Sequence, residues 1–123
     1  MTAYQAITQA DSQRPNAFSL NDKAEWLREI EARIKNEIFD THEELCDVAM
    51  TDFTGDNTAT EMLAPHPYDI IYVYWLFTKI DFLNGENARF NSSVLMYNTA
   101  WINLANYVNR NYLPKSPGRA AGA

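Results

Sequence analysis

The sequence predicts a mainly α-helical protein, a small bundle of about four helices with a long irregular connection between helices two and three. Three observations carry this expectation. Apolar residues recur at helical spacing at Leu27, Ile30, Ile34 and Ile38, and again at Phe90, Val94, Tyr97, Trp101, Leu104 and Val108, the periodicity of amphipathic helices. The stretch from Asp69 to Asn84 is apolar on both faces, with Ile70, Val73, Phe77 and Ile80 on one and Ile71, Trp75, Thr78 and Phe82 on the other. A helix of that kind is covered on all sides, by its own domain or by another subunit. Between these segments, Thr51, Thr54, Gly55, Asp56, Asn57, Thr58 and Thr60 break any helical period across His42 to Ala64.

Tyr4, Ile7 and Ala10 suggest a short first helix within Thr2 to Asp11, and Arg14-Pro15-Asn16 ends it, because proline disfavours a helical residue before it. Ser19 is a good N-cap for helix two, with Asp22 three residues on as a short-armed capping box. Helix two ends near Phe39 to His42, and its Glu29, Glu31 and Glu37, interleaved with Arg28, Arg33 and Lys35, are expected on a solvated face. Glu43 to Met50 is open to extending a helix, and Glu61-Met62-Leu63 to forming a short extended segment. A connection of this length inside one domain is commonly functional. Helix three runs from about Asp69 to Asn84, Gly85 stops it, and helix four follows at once from about Glu86 to Tyr112, which makes an antiparallel hairpin. Residues 1–113 thus form one helical domain, and 114–123 a flexible tail.

The formal charge of −6 argues against a dedicated nucleic-acid binder, which needs a basic patch to neutralise phosphates. Between Lys35 and Lys79 there is no Lys or Arg, while Glu37, Asp40, Glu43, Glu44, Asp47, Asp52, Asp56, Glu61 and Asp69 all fall there. Such a block is a solvated acidic surface, or one that repels DNA or docks a basic partner. Cys46 is the sole cysteine, so one chain holds no disulfide and no cysteine metal site; it is expected as a small buried hydrophobe in a reducing compartment. The apolar run Ile70 to Phe77 falls far short of the roughly 20 residues that cross a bilayer, and the polar N-terminus lacks a signal-peptide pattern. A soluble protein without membrane partners is expected.

No spacing speaks for catalysis. His42 beside Glu43 and Glu44 has no second histidine on its face and is expected as a surface residue, while His66 between Pro65 and Pro67 marks a rigid turn. Neither Gly55 nor Gly85 belongs to a phosphate-cradling run. No enzyme activity, metal or cofactor is expected. The aromatic set Tyr72, Tyr74, Trp75, Phe77, Trp101 and Tyr107 is expected in a core or subunit interface, with the many Asn side chains as partners for its N–H and O–H groups.

Several fragments in order, Arg14-Pro15-Asn16, Asp22-Lys23, Trp26-Leu27, Pro67-Tyr68-Asp69, Tyr72-Val73-Tyr74-Trp75-Leu76, Ile80-Asp81-Phe82, Asn84-Gly85-Glu86, Arg89-Phe90-Asn91-Ser92-Ser93 and Tyr107-Val108-Asn109-Arg110, resemble the head-tail connector, or adaptor, proteins of long-tailed phages and prophages. The resemblance spans Arg14 to about Lys115. It implies a mainly helical virion subunit, made in the host bacterial cytoplasm. About a dozen copies would form a ring in the virion neck. The ring would sit on the portal protein, extend the DNA channel and meet the next head-completion or tail-terminator protein, while DNA passes without sequence-specific binding. On this expectation Ile71, Tyr74, Trp75 and Phe82 are the candidate oligomer interface. Glu43, Glu44, Asp47, Asp52 and Asp56 form the acidic channel or partner surface. The alternative is a small acidic helical regulator or inhibitor that binds a basic protein partner.

Overall fold

Thr2 caps the first helix by accepting from the Gln5 backbone N–H, and the Gln5 side chain accepts in return from the Thr2 N–H. This is the reciprocal capping box, formed here rather than at Ser19. In the computed structural model, which describes residues 1–115, α1 spans Ala3–Gln13, α2 Leu20–Glu37, α3 Ile70–Leu83 and α4 Asn87–Asn111. A single 3-10 turn, Phe39–Thr41, follows α2. The described residues contain no β-strand and three isolated bridges, Thr2 with Glu61, His42 with Pro114 and Thr54 with Asn57. The fold is the predicted helical bundle with its long connection between α2 and α3.

Ser19 caps α2, accepting from the Asp22 N–H at 3.0 Å, and Leu27, Ile30, Ile34 and Ile38 are all buried. Gly85 takes φ +71° between α3 and α4, a left-handed conformation natural to glycine, so the chain reverses within a few residues. The two helices run antiparallel. Phe82 meets Phe90 with ring centroids 5.4 Å apart, Trp75 meets Tyr97 at 5.1 Å, and Tyr68 stacks on Tyr107 at 4.6 Å.

Helix α3 packs on α1, α2 and α4 together. The all-round apolar helix is therefore covered by its own chain. Ile71, Tyr72, Val73, Leu76, Phe77 and Ile80 are buried in the protomer. The face that α4 turns inward is Ser93, Tyr97, Ala100, Leu104 and Val108, with Phe90, Val94 and Trp101 only half-buried.

The 42–69 connection holds to the bundle by a few anchors. Phe53 and Met62 are buried, and the Arg28 guanidinium donates to the Phe53 carbonyl at 2.9 Å. A Cβ at Gly55 would collide with the Asn21 side chain, which would have to turn away, so the turn between Thr54 and Asn57 lies close against the start of α2. At the other end, Lys115 N–H donates to the Thr41 carbonyl at 2.8 Å. Pro114 and Lys115, expected in a free tail, are thus tied to the 3-10 turn. The rest of that expected tail, 116–123, lies outside the described residues.

Candidate functional site

The α3/α4 hairpin opens on one side into a groove of about 370 Å³, wider than a packing defect in a close-packed interior. Ile70 and Tyr74 supply its α3 wall, and Leu95, Met96, Thr99, Ala100 and Asn103 its α4 wall. No charged group lines it. Leu95 and Ile102 stand 67% and 57% exposed on the outer side of α4, seven residues apart and so on one helical face. Phe82 and Leu83 are exposed at the hairpin end. Single exposed apolar residues are ordinary; a groove flanked by several marks a surface that something can cover.

The four residues expected at an oligomer interface scatter across this geometry. Ile71 is fully buried in the core and has no surface to offer a neighbour, because α1, α2 and α4 close over α3. Tyr74 lines the groove. Trp75 packs inward, its indole N–H donating to the Trp26 carbonyl at 2.7 Å and its ring lying under the Lys79 ammonium at 5.1 Å. Phe82 is exposed against Phe90, away from the residues that line the groove. Leu95 and Ile102 were not among the expected interface residues, since they fall between the positions of the inward seam. Their seven-residue spacing off that seam is the signal that marks them.

The acidic block divides. Glu37 pairs with Arg33 at 2.8 Å, Asp40 with Lys35, and both Glu61 and Asp69 with the Met1 ammonium at 2.7 and 3.3 Å. Glu44, Asp47, Asp52 and Asp56 are exposed and Glu43 is half-buried. The predicted acidic surface residues therefore stand at or near solvent along the connection, and its remaining carboxylates are used to hold the fold.

Beneath the connection lies a buried polar cluster. Glu31 is fully buried rather than on a solvated face; its carboxylate accepts from the Leu63 N–H at 2.8 Å and from the Tyr72 hydroxyl at 2.5 Å. Tyr72 Oη in turn accepts from the Ala64 N–H at 2.9 Å. Burial pushes the Glu31 carboxyl above its ordinary value, and hydrogen bonds from Tyr72, Leu63 and Thr51 oppose that rise. Burial, followed by the Glu31 charge, holds the Tyr72 hydroxyl well above its usual value. This arrangement fastens the end of the connection to α2 and α3. Both side chains are fully buried, and together they act as a clasp.

His42 is also buried, at 4% exposed. Its Nδ1 lies 2.7 Å from the Ile38 carbonyl and its Nε2 2.8 Å from the Asn109 side chain, so it joins the 3-10 turn to α4. Cys46 is half-buried, its thiol directed to the Glu43 carbonyl at 3.3 Å. The partners of the inner aromatic groups are not asparagines: Tyr72 bonds Glu31, Trp75 bonds a backbone carbonyl, and the Tyr97 hydroxyl accepts from Arg33 at 2.7 Å. A smaller pocket of about 200 Å³ lies between the connection and α4, bounded by Phe39, Leu45, Leu63, Pro65, Tyr107, Val108 and Tyr112. Among the described residues no group of His, Cys, Asp and Glu side chains is placed to hold a metal ion. No described helix is long and apolar enough to cross a membrane.

No protein-family model, curated protein or solved structure matches this chain.

Proposed function

We propose that this protein is a structural virion subunit of a long-tailed phage or prophage, one copy of a head-tail connector ring that docks on the portal and joins capsid to tail. The observation that carries the reading is the uncharged groove between α3 and α4 with Leu95 and Ile102 exposed beside it. An uncovered apolar face on a protomer that already has its own core supports an assembly role, and the order of fragments from Arg14 to Lys115 resembles the connector family. Contacts in a ring are heterologous, one face of each subunit meeting a different face of the next, and closure follows from a fixed rotation. The work is adhesive and geometric, with no chemical step.

The acidic connection has a place in this reading. If Glu44, Asp47, Asp52 and Asp56 face the channel, they repel the DNA backbone weakly and let it slide, an effect that salt screens. Their exposure also favours a second reading, a small acidic regulator that docks a basic protein. Incubation with the assembled portal of the virus that encodes this chain separates the two. Co-sedimentation with the portal, at a stoichiometry near one copy per portal subunit, is the expected result. A chain that stays in the supernatant and binds one basic host protein instead overturns the connector reading.

A further inference from the structure

Charge on the surface of this chain is sorted. Arg14, Lys23, Arg28, Arg33, Lys35 and Lys79 each stand within ion-pair distance of a carboxylate of the same chain. Among the described residues Arg89, Arg110 and Lys115 do not, and all three are exposed. The exposed carboxylates without an ion pair among the described residues are Asp22, Glu44, Asp47, Asp52, Asp56 and Glu86, of which Glu44, Asp47, Asp52 and Asp56 belong to the connection. The two arginines of α4 are placed in relation to the groove. Arg89, Met96, Asn103 and Arg110 recur every seven residues, about two turns, so they run along one side of the helix, with about 31 Å from first to last at the standard rise. Met96 and Asn103 line the groove. Its uncharged middle thus has a guanidinium towards each end, which fits an apolar segment flanked by carboxylates.

This chain carries such a segment. Met50 is 42% exposed between the exposed Asp47 and Asp52. Among the described residues the backbone N–H groups from Ala49 to Asp52 donate no hydrogen bond, and Tyr74, Thr99 and Asn103 in the groove hold side-chain oxygens that can accept from them. Within one chain the two surfaces are held apart. The connection is tied to α1 and α2, where the Tyr4 N–H donates to the Thr58 carbonyl at 2.8 Å and Arg28 to the Phe53 carbonyl at 2.9 Å, while the groove lies between α3 and α4. Opposite charges on two unlike surfaces of the same chain select a second copy as the partner, and their joining is the heterologous, head-to-tail contact that closes a ring.

We infer that the 47–52 segment of one copy seats Met50 in the α3/α4 groove of the next, with Asp47 and Asp52 facing Arg89 and Arg110. Fully extended, Asp47 to Asp52 spans about 17 Å; the flexible arginine side chains reach inward from either end to cover the difference. The inference rests on reading the chain as a ring subunit and names the two unlike faces through which its copies meet. Asp47 and Asp52 then lie between subunits, which leaves Glu44 and Asp56 as the carboxylates that can face the channel.

Sedimentation equilibrium tests it on the native chain, on Asp47→Arg/Asp52→Arg, on Arg89→Glu/Arg110→Glu, and on an equimolar mixture of the two variants. All four altered positions are exposed, and unchanged helical circular dichroism and melting temperature verify that each variant folds. Association of the native chain is expected between about 5 μM and about 1 mM, weakening with salt. Each reversal alone should weaken it about 100-fold through like-charge contact. Mixing the two should restore it, since alternating copies again join unlike charges at every contact. Association that only one reversal weakens, that neither weakens, or that the mixture fails to restore overturns this pairing while the self-assembling reading stands. A species of 14.1 kDa for the native chain at every concentration overturns the inference outright, and the connector reading is then decided by portal co-sedimentation.

Discussion

Replacing Glu31 with alanine is expected to destabilise the protein by about 3–5 kcal/mol, because two buried donors lose their acceptor at once and each such loss costs about 1–3 kcal/mol. The Leu63 N–H and the Tyr72 hydroxyl both point at this carboxylate, and the Ala64 N–H depends on the position of Tyr72. Urea unfolding measures the loss. Amide exchange at Leu63 and Ala64 should accelerate beyond the global change, since these amides lie where the connection is clasped. Glu31→Gln keeps an acceptor oxygen and is expected to cost less, about 1–2 kcal/mol. A variant Glu31→Ala within about 0.5 kcal/mol of the native chain would show that the cluster contributes nothing net.

The pH dependence follows from the same burial. The Glu31 carboxyl is raised in the fold above its ordinary value of 4.5, so the folded state holds this proton more tightly than the unfolded chain. The contribution is complete below the ordinary value and is lost as pH rises through the raised one. Native stability minus that of Glu31→Gln should therefore fall with increasing pH above about 4.5 and level off once the carboxyl is ionised. Tyr72 and the Met1 ammonium are the other titrating groups that act on this site, and neither loses its proton in that window.

Asp81→Ala is the second large effect, expected at about 2–4 kcal/mol from an unsatisfied hydroxyl and a partly buried cation left without its counter-charge. Asp81 is 1% exposed; it accepts from Ser93 Oγ at 2.7 Å and faces Arg14 Nε at 3.4 Å. One carboxylate thus joins α3 to α4 and to the residue that ends α1. Arg14 also lies over the Phe77 ring at 4.4 Å, so part of its anchorage survives. Asp81→Asn keeps an acceptor for Ser93 and is expected to lose less than Asp81→Ala. Equal losses for the two would assign the whole effect to the ion pair.

Much of the fold was legible because each helix advertises its inward stripe. Leu27, Ile30, Ile34 and Ile38 are buried as their spacing predicts, and Ser19 begins α2 and Gly85 follows the end of α3 where expected. The buried polar residues were harder to read, although their positions carry a signal. Lys23, Leu27, Glu31, Ile34 and Ile38 follow steps of 4, 4, 3 and 4, so Glu31 and Lys23 occupy the inward stripe itself. A charged residue there is buried only if partners reach it, and these come from afar: Tyr72 lies 41 residues from Glu31, Asn109 67 from His42, and Asp81 67 from Arg14. Periodicity reports which side of a helix turns inward, and it carries no information on which distant group meets it.

The candidate surface was legible only in part for the same reason. The apolar excess of α3 left open whether its own domain or another subunit covers it; the protomer buries Ile71 completely, which leaves that residue no surface for an interface. On α4 Leu95 and Ile102 stand exposed among neutral polar neighbours, a pattern that gains meaning only once the opposite side of the helix is known to be buried. The acidic connection is exposed along Glu44, Asp47, Asp52 and Asp56 as composition predicts, because like charges without a base are most stable in water.

The central claim is that this chain works as one subunit of a closed ring, and native mass spectrometry of the purified protein tests it most directly. The account predicts a discrete assembly of about a dozen copies with no ladder of open intermediates, as closed point-group symmetry requires. In the free protein the mass is a fixed multiple of 14.1 kDa, and on the portal the mass added to the portal is that multiple. A monomer or dimer that ignores the portal at every concentration would contradict it.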